Sequence, residues 1–285
     1  MIQIGRTNSL KVARKSDIGF FLEGDNGNEI FLPGRSAPDG LQENENVTVF
    51  VYVGNEGKLL ASTDVALAEV GDYAFLKVAQ INDFGAFLEW GVPKQLLVPH
   101  REQKPPLKPG QICLVYIYLD DVSGRIVAST KINRWLKDEA DETMKEGDEV
   151  DLLVCFQTDI GYKAIVNNSC WGVIYSNEVF KDIDKGDRLT GYIKKIREDG
   201  KIDLSLQKKG FGNLDDYSAE LLNVLEDSGG FLPLHDNSAP EEIYEKLGVS
   251  KKTFKRAAGI LYKKKLITFD NDGISLTESS AEKES

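Results

Sequence analysis

Histidine is nearly absent from this chain. His100 and His235 are the only two in 285 residues, and they stand 135 positions apart. That separation argues against a histidine-based catalytic triad or zinc site. Cysteine is scarce too. Cys113, Cys155 and Cys170 form no CxxC pair, and their odd number reads as reduced thiols of a cytoplasmic protein. No apolar run reaches the roughly 18–20 residues that a membrane span needs. The opening MIQIGRTNSL lacks the apolar core of a signal peptide. Walker, HExxH and GxSxG motifs are all missing. Gly210-Phe211-Gly212 is a GxG without its third glycine and marks a boundary. Asp270-Asn271-Asp272-Gly273 opens like a calcium loop but lacks the later Glu, and reads as a hairpin turn. The expectation is a non-enzyme with no cofactor, no metal and no membrane partner.

Positive charge is also in deficit. Lys and Arg total 35 against 46 Asp and Glu, a net charge of -11. This excludes indiscriminate coating of polyanions by bulk charge.

What the chain does contain is a repeat. LKVARKSDIGFFLEG with EIFLPGR and VTVFVYVGNEGKLLAST returns as LKVAQINDFGAFLEW with QLLVPHR and CLVYIYLDDVSGRIVAST. A third copy reads LLVCFQTDIGYKAIV, WGVIYSN and LTGYIKKIREDGKIDLSL. Gly19, Gly85 and Gly161 are spaced by 66 and 76 residues, and Lys58, Arg125 and Lys201 by 67 and 76. Two anchors at opposite ends of each copy therefore move together. Each copy reads as five short strands separated by Gly, Asp and Asn turns, a pattern that predicts a small barrel. The glycines stand where two strands bend sharply.

The expected architecture is mainly β: three tandem five-stranded barrels over 1–64, 65–130 and 146–209, then an α+β winged helix over 213–278. Lys131–Lys145 contains no Gly or Pro and predicts a linking helix, with Ile132, Trp135, Leu136 and Ala140 on one stripe, packed between the second and third barrels. In the tail, Ala219–Leu225 reads as a helix. Ser238-Ala-Pro-Glu-Glu predicts a helix start capped by Ser238, with Glu241 completing a capping box. That helix stops at Gly248. A second helix starts at a Ser250 cap, and 266–276 forms a hairpin. The order is that of a winged helix. The last residues, TESSAEKES, read as a frayed end.

Binding chemistry concentrates in the second copy. Phe84 and Phe87 flank the Gly85 bend, His100 follows the third strand, and Asp121 and Arg125 frame the turn into the fifth. Strands two and three of such a barrel commonly offer a face on which bases stack. Residue types alone leave open whether one Phe is core and the other surface. DFGAFLEW, LLVPHR and DDVSGRIVAST resemble the S1 RNA-binding domain, an OB-fold that binds single-stranded RNA. Phe84, Phe87, His100, Asp121 and Arg125 match the five binding positions of that family. In the first copy Phe21 matches the second Phe, but Ile18, Gly34, Gly54 and Lys58 replace the other four. The third carries Ile160, Lys163, Tyr175, Arg197 and Lys201, with Tyr162 adjacent. S1-like repeats followed by a winged helix resemble the conserved virulence factor B family of bacteria. That resemblance implies an RNA-binding regulator of gene expression and no catalytic activity.

The basic residues gather in two islands. Residues 185–209 hold eight basic residues, Lys194, Lys195, Arg197 and Lys201 among them, against four acids. Residues 251–265 hold seven, including Lys251, Lys252, Lys255, Arg256 and Lys263, and no acid. In that second island Phe254, Ala257, Ala258 and Leu261 form the apolar stripe, and the basic residues surround Gly259 on another face. A charged run is usually just a solvated face; the absence of any acid favours phosphate binding. Single-stranded RNA is the expected partner. The alternatives are a DNA-binding regulator using 251–265 as recognition helix, and a protein-interaction scaffold with vestigial barrels.

Overall fold

The computed structural model describes residues 1–54, 57–176, 179, 182–206, 214–270 and 272–277. The 210–212 boundary, Lys208 and Lys209 of the first basic island, Asn271 and the expected frayed end from 278 onward lie outside these residues. So do the expected domain limits at 209, 213 and 278. The chain divides into two units, Met1–Leu136 and Lys137–Ser285.

The first unit holds two closed barrels. One contains β1 (Thr7–Ser16), β2 (Gly19–Glu23), β3 (Glu29–Pro33), β4 (Asn46–Val53) and β5 (Leu59–Ser62). The other contains β6 (Tyr73–Asn82), β7 (Gly85–Glu89), β8 (Leu96–Pro99), β9 (Ile112–Leu119) and β10 (Ile126–Ser129). The second unit opens with a third: β11 (Glu149–Thr158), β12 (Gly161–Val166), β13 (Cys170–Tyr175), β14 (Arg188–Ile196) and β15 (Ile202–Ser205). In all three the third strand pairs in parallel with the fifth, and every other pairing is antiparallel. Each first strand carries a bulge at the same place, between Val12 and Arg14, Val78 and Gln80, and Val154 and Phe156.

The bend glycines do what their spacing predicts. Gly19, Gly85 and Gly161 adopt φ of 152°, 151° and 149°. A Cβ on Gly85 would lie 2.1 Å from the Val98 carbonyl oxygen, and one on Gly161 2.0 Å from that of Ile174. Strands two and three approach so closely there that no side chain fits.

Alternating residues of each strand fill the barrel interiors. The first barrel encloses Val12, Leu22, Leu32, Val49 and Ala61. The second encloses Leu76, Leu88, Val98, Val115 and Ala128, and its cluster extends to Phe50 and Tyr52 of the first. Phe50 meets Trp90 edge-on, with ring centroids 5.2 Å apart. Such a contact is worth about 0.5–1.5 kcal/mol beyond its buried area. The two barrels thus share apolar surface, as small domains gain from doing.

The expected helix over 131–145 does not form. A single 3-10 turn, Ile132–Arg134, is the only helical element there. The backbone is taken up by other partners: Lys137 N–H donates to Ser169, Ala140 N–H donates to Gly200, and Lys137 accepts from Trp171 N–H. Asp141 closes a side-chain turn onto Thr143. Trp135 lies on Tyr116 and Tyr118 of the second barrel, at centroid distances of 4.6 and 4.9 Å. Ala140 and Met144 pack on the core of the third. Anchoring contacts outweigh the local helix preference.

The tail contains α1 (Leu214–Asp227), β16 (Phe231–Leu232), α2 (Pro240–Leu247), α3 (Lys251–Lys263), β17 (Ile267–Phe269) and β18 (Ile274–Leu276), with sheet order β16-β18-β17. Helix α1 is longer than 219–225, and β16 adds a strand to the expected hairpin. Gly248 ends α2 at φ 66°, and the Ser250 hydroxyl accepts from Thr253 N–H at the start of α3. Ser238 is not the cap of α2. Ala239 holds that position, and the Ser238 hydroxyl instead accepts from His235 N–H at 3.0 Å. Pro240 at the first helical position sets the helix entry without a capping box. Phe254, Ala257, Ala258 and Leu261 are buried as the stripe predicts. Among the described residues, no helix is long and apolar enough to cross a membrane.

Candidate nucleic-acid interface

Phe84 occupies the turn between β6 and β7, where its N–H donates to the Asn82 side chain at 2.9 Å. Its ring is 73 % exposed. Phe87 is half-buried on β7, paired with Gln80 on one side and Leu97 on the other. The two rings line one groove of about 220 Å³, together with Leu97, Arg125 and Lys94. Its far wall is Tyr52 and Val53 of the first barrel. Neither ring is a core residue, which answers what the residue types left open.

The structure brings Phe84, Phe87 and Arg125 together but leaves His100 and Asp121 outside the groove lining. His100 starts a 3-10 turn, His100–Glu102, and its Nε2 donates to the Asn82 carbonyl at 2.9 Å. It therefore braces the turn that presents Phe84. Asp121 is exposed in the β9–β10 turn. Its neighbour Asp120 accepts from the Ser123 hydroxyl and N–H, which hold its carboxyl below the usual range.

Lys94 and Tyr52 are functional candidates that reading single repeats does not reveal. The Lys94 ammonium donates to the Val53 carbonyl at 2.5 Å, and its own carbonyl accepts from the Trp90 indole. Burial, then the nearby Arg125 charge, lowers its pKa from the ordinary lysine value. Two cations thus flank two rings on a concave surface. That combination can stack bases and hold the phosphates between them.

The equivalent faces of the other barrels differ. In the first, Ile18 is exposed and Phe21 is covered by Arg14, whose guanidinium lies 3.6 Å from the ring centroid. Arg14 in turn pairs with Glu29 at 2.6 Å. In the third, Tyr162 packs against the core. Arg197 contacts Asp203 at 2.6 Å and also donates to the Tyr175 hydroxyl. The hydrogen bond to Asp203 raises the Arg197 pKa. Lys201 pairs with Asp199 at 2.7 Å. Arg197 and Lys201 are therefore largely engaged by neighbouring acids, while Lys194 and Lys195 are exposed.

On α3, Lys252, Lys255, Arg256 and Lys263 are all exposed. Lys255 reaches Asp236 at 3.5 Å, and Lys251 donates to the Ser238 carbonyl at 2.7 Å. Lys252, Arg256 and Lys263 have no ion-pair partner among the described residues. Nothing lies within 4 Å of where a Gly259 Cβ would sit, so the centre of this basic face is open.

Residues 4–64 and 70–131 each match the S1 domain family, and 219–276 match the CvfB-like winged helix domain. The chain is 27% identical to conserved virulence factor B of Staphylococcus epidermidis, over 96% of this chain and 95% of that protein. It is 28% identical to the protein of the same name from Staphylococcus saprophyticus, again over 96% and 95%. A crystal structure of a multidomain protein with nucleic acid binding domains from Streptococcus pneumoniae aligns over 96% of this chain and 98% of that one, at 22% identity and a TM-score of 0.39. S1 and winged-helix domains are of nucleic-acid-binding type, and nucleic acid is the class of partner they support. The chain thus carries two S1 domains, a third barrel of the same strand order and a CvfB-like winged helix domain, and its similarity to conserved virulence factor B runs over nearly its whole length.

Proposed function

We propose that the chain binds single-stranded RNA and acts as a post-transcriptional regulator in the cytoplasm. The groove of Phe84, Phe87, Arg125 and Lys94 carries this reading. Each stacked base contributes about 1–3 kcal/mol, and stacking needs base faces that a duplex conceals. Helix α3 adds sequence-independent phosphate attraction from Lys252, Arg256 and Lys263. A bound chain changes which bases of a transcript are open to pairing, so regulation needs no covalent step. The cytoplasmic setting suits three buried free thiols, of which Cys155 is pushed up to about 12 by burial and so kept unreactive.

The test is a titration of labelled single-stranded 12-mer RNA, with unlabelled DNA duplex and single-stranded DNA as competitors. Phe84→Ala/Phe87→Ala should weaken binding by at least about tenfold, the order expected from losing a base stack. Equal affinity of variant and wild type would overturn the groove's role. Stronger competition by duplex DNA than by single strands would favour a DNA-binding regulator.

A further inference from the structure

We propose that the third barrel carries its own stacking site for single-stranded RNA, made of Phe156, Lys163 and Trp171. The proposal rests on the RNA-binding reading above but uses none of its groove residues. Of the residues that the S1 pattern points to in this barrel, it uses Lys163 alone.

The three barrels can be compared position by position, because each first strand bulges at the same place. The pair that follows the bulge is Arg14 with Phe21, Gln80 with Phe87, and Phe156 with Lys163. A third equivalent position lies on the third strand, two residues before the partners Phe31, Leu97 and Val173, and is held by Glu29, Gln95 and Trp171. In every barrel the first and third of these positions touch, each time by different chemistry. Arg14 and Glu29 form a two-pronged ion pair at 2.9 and 2.6 Å. Gln80 donates to Gln95 at 2.8 Å. Phe156 and Trp171 meet ring to ring, with centroids 6.0 Å apart. A corner that is polar twice has become aromatic, and Phe156 remains 43% exposed.

The middle position has changed in the opposite sense. Where the other barrels place Phe21 and Phe87, the third places Lys163, whose ammonium lies 4.2 Å from the Trp171 ring centroid. Ring and cation have exchanged places on the same outward row. The third barrel thus keeps the chemistry of a stacking surface while losing the family's pattern for it.

A nucleotide fits this arrangement. Lysine carries a flexible, strongly hydrated charge that can swing off the indole to a phosphate. Trp171 is only 7% exposed with Lys163 lying on its ring, so a base reaches that face only once the lysine has swung away, and the more open Phe156 borders the same site. The next positions along the row are Val173 and Asp203. Asp203 would repel phosphate, but Arg197 and Tyr175 hold its carboxylate. The Arg197–Asp203 pair is thus a shield beside the site and not itself the phosphate contact.

The experiment uses the full chain, a fluorescein-labelled single-stranded 12-mer RNA and fluorescence anisotropy. Phe156→Ala, at an exposed position, should weaken binding about fivefold or more, the order of one lost base stack. Wild-type affinity for Phe156→Ala alongside a loss in Phe84→Ala/Phe87→Ala would overturn the third-barrel site and leave the groove standing. Wild-type affinity in both variants would overturn the RNA reading as well. Tryptophan emission gives an independent readout with unlabelled RNA. RNA should quench wild type more than Trp171→Phe, whose fold is checked by circular dichroism. Equal quenching in the two would sink the proposal even if Phe156→Ala binds weakly.

Discussion

Lys94 of the second barrel donates its ammonium proton to the backbone carbonyl of Val53 in the first, at 2.5 Å. A residue in the loop before β8 thereby ties together the two barrels that wall the groove. The first barrel, poor in S1 binding residues, contributes through Tyr52 and Val53.

This relationship sets what Lys94→Met should do. Burial and Arg125 lower the pKa of Lys94 from 10.5, so the folded state gives up this proton more readily than the unfolded chain. Its charged form weighs against folding at neutral pH, and the penalty is relieved as pH rises from the folded pKa through 10.5. Losing the charge and the hydrogen bond together should change stability by less than about 1 kcal/mol. Binding should respond more clearly. The slope of log affinity against log salt should flatten by about 0.7, one phosphate contact on a single strand. An unchanged slope would remove Lys94 from the interface.

Glu102 predicts a stability effect. Its carboxylate is nearly buried, accepts from the Ser129 hydroxyl at 2.8 Å, and meets Arg134 at 2.9 Å. Glu102→Ala takes the better acceptor from the buried Ser129 hydroxyl, which keeps only a long bond to the residue 102 carbonyl beside the one it accepts from Lys131 N–H, while half-exposed Arg134 keeps access to water. The expected loss is about 1–3 kcal/mol in urea unfolding followed by tryptophan emission. A loss below about 0.5 kcal/mol would mean that the network contributes little.

Gly161→Ala should be worse. The Cβ would meet the Ile174 carbonyl oxygen at 2.0 Å, at a φ of 149° that L-residues rarely adopt. Backbone against backbone leaves no flexible side chain to yield. A destabilisation of at least about 2–3 kcal/mol is expected in thermal unfolding. Gly27→Ala, at φ 78° with nothing within 4 Å, is the control for conformational strain without collision.

How far the structure can be read from residues depends on the range of the interaction. The barrels are legible because Gly19, Gly85 and Gly161 recur with a fixed partner about 40 residues on, and only glycine fits those bends. The Phe254–Leu261 stripe is legible because one helix carries the whole pattern. Lys94 and Tyr52 are not, since their meeting depends on how the first barrel docks on the second. The helix expected at 131–145 fails for the same reason: its composition suits a helix, but Ser169, Trp171 and Gly200 claim its backbone. A count of eight bases against four acids in 185–209 could not show that Arg197 is held by Asp203 across a strand pair. Strand periodicity places Phe156 and Trp171 on barrel strands, but only the register after the Val154 bulge shows that they replace Gln80 and Gln95.

Gly259 offers the sharpest test of the basic helix, because stability and binding should move in opposite directions. It sits in the interior of α3, and a Cβ at this position would have nothing within 4 Å. Alanine there removes backbone freedom from the unfolded chain and meets no neighbour, so Gly259→Ala should stabilise the winged helix by about 0.5–1 kcal/mol. The same methyl group would stand between Lys252, Arg256 and Lys263, on the face argued to approach a phosphate backbone. Affinity for single-stranded RNA should therefore fall by a few fold, with the salt slope unchanged because no charge is lost. Gly259→Ala that is both more stable and equally tight would show that phosphates do not come close to the helix centre. Binding would then have to run through the barrels, with the seven basic residues of 251–265 acting only as a solvated face.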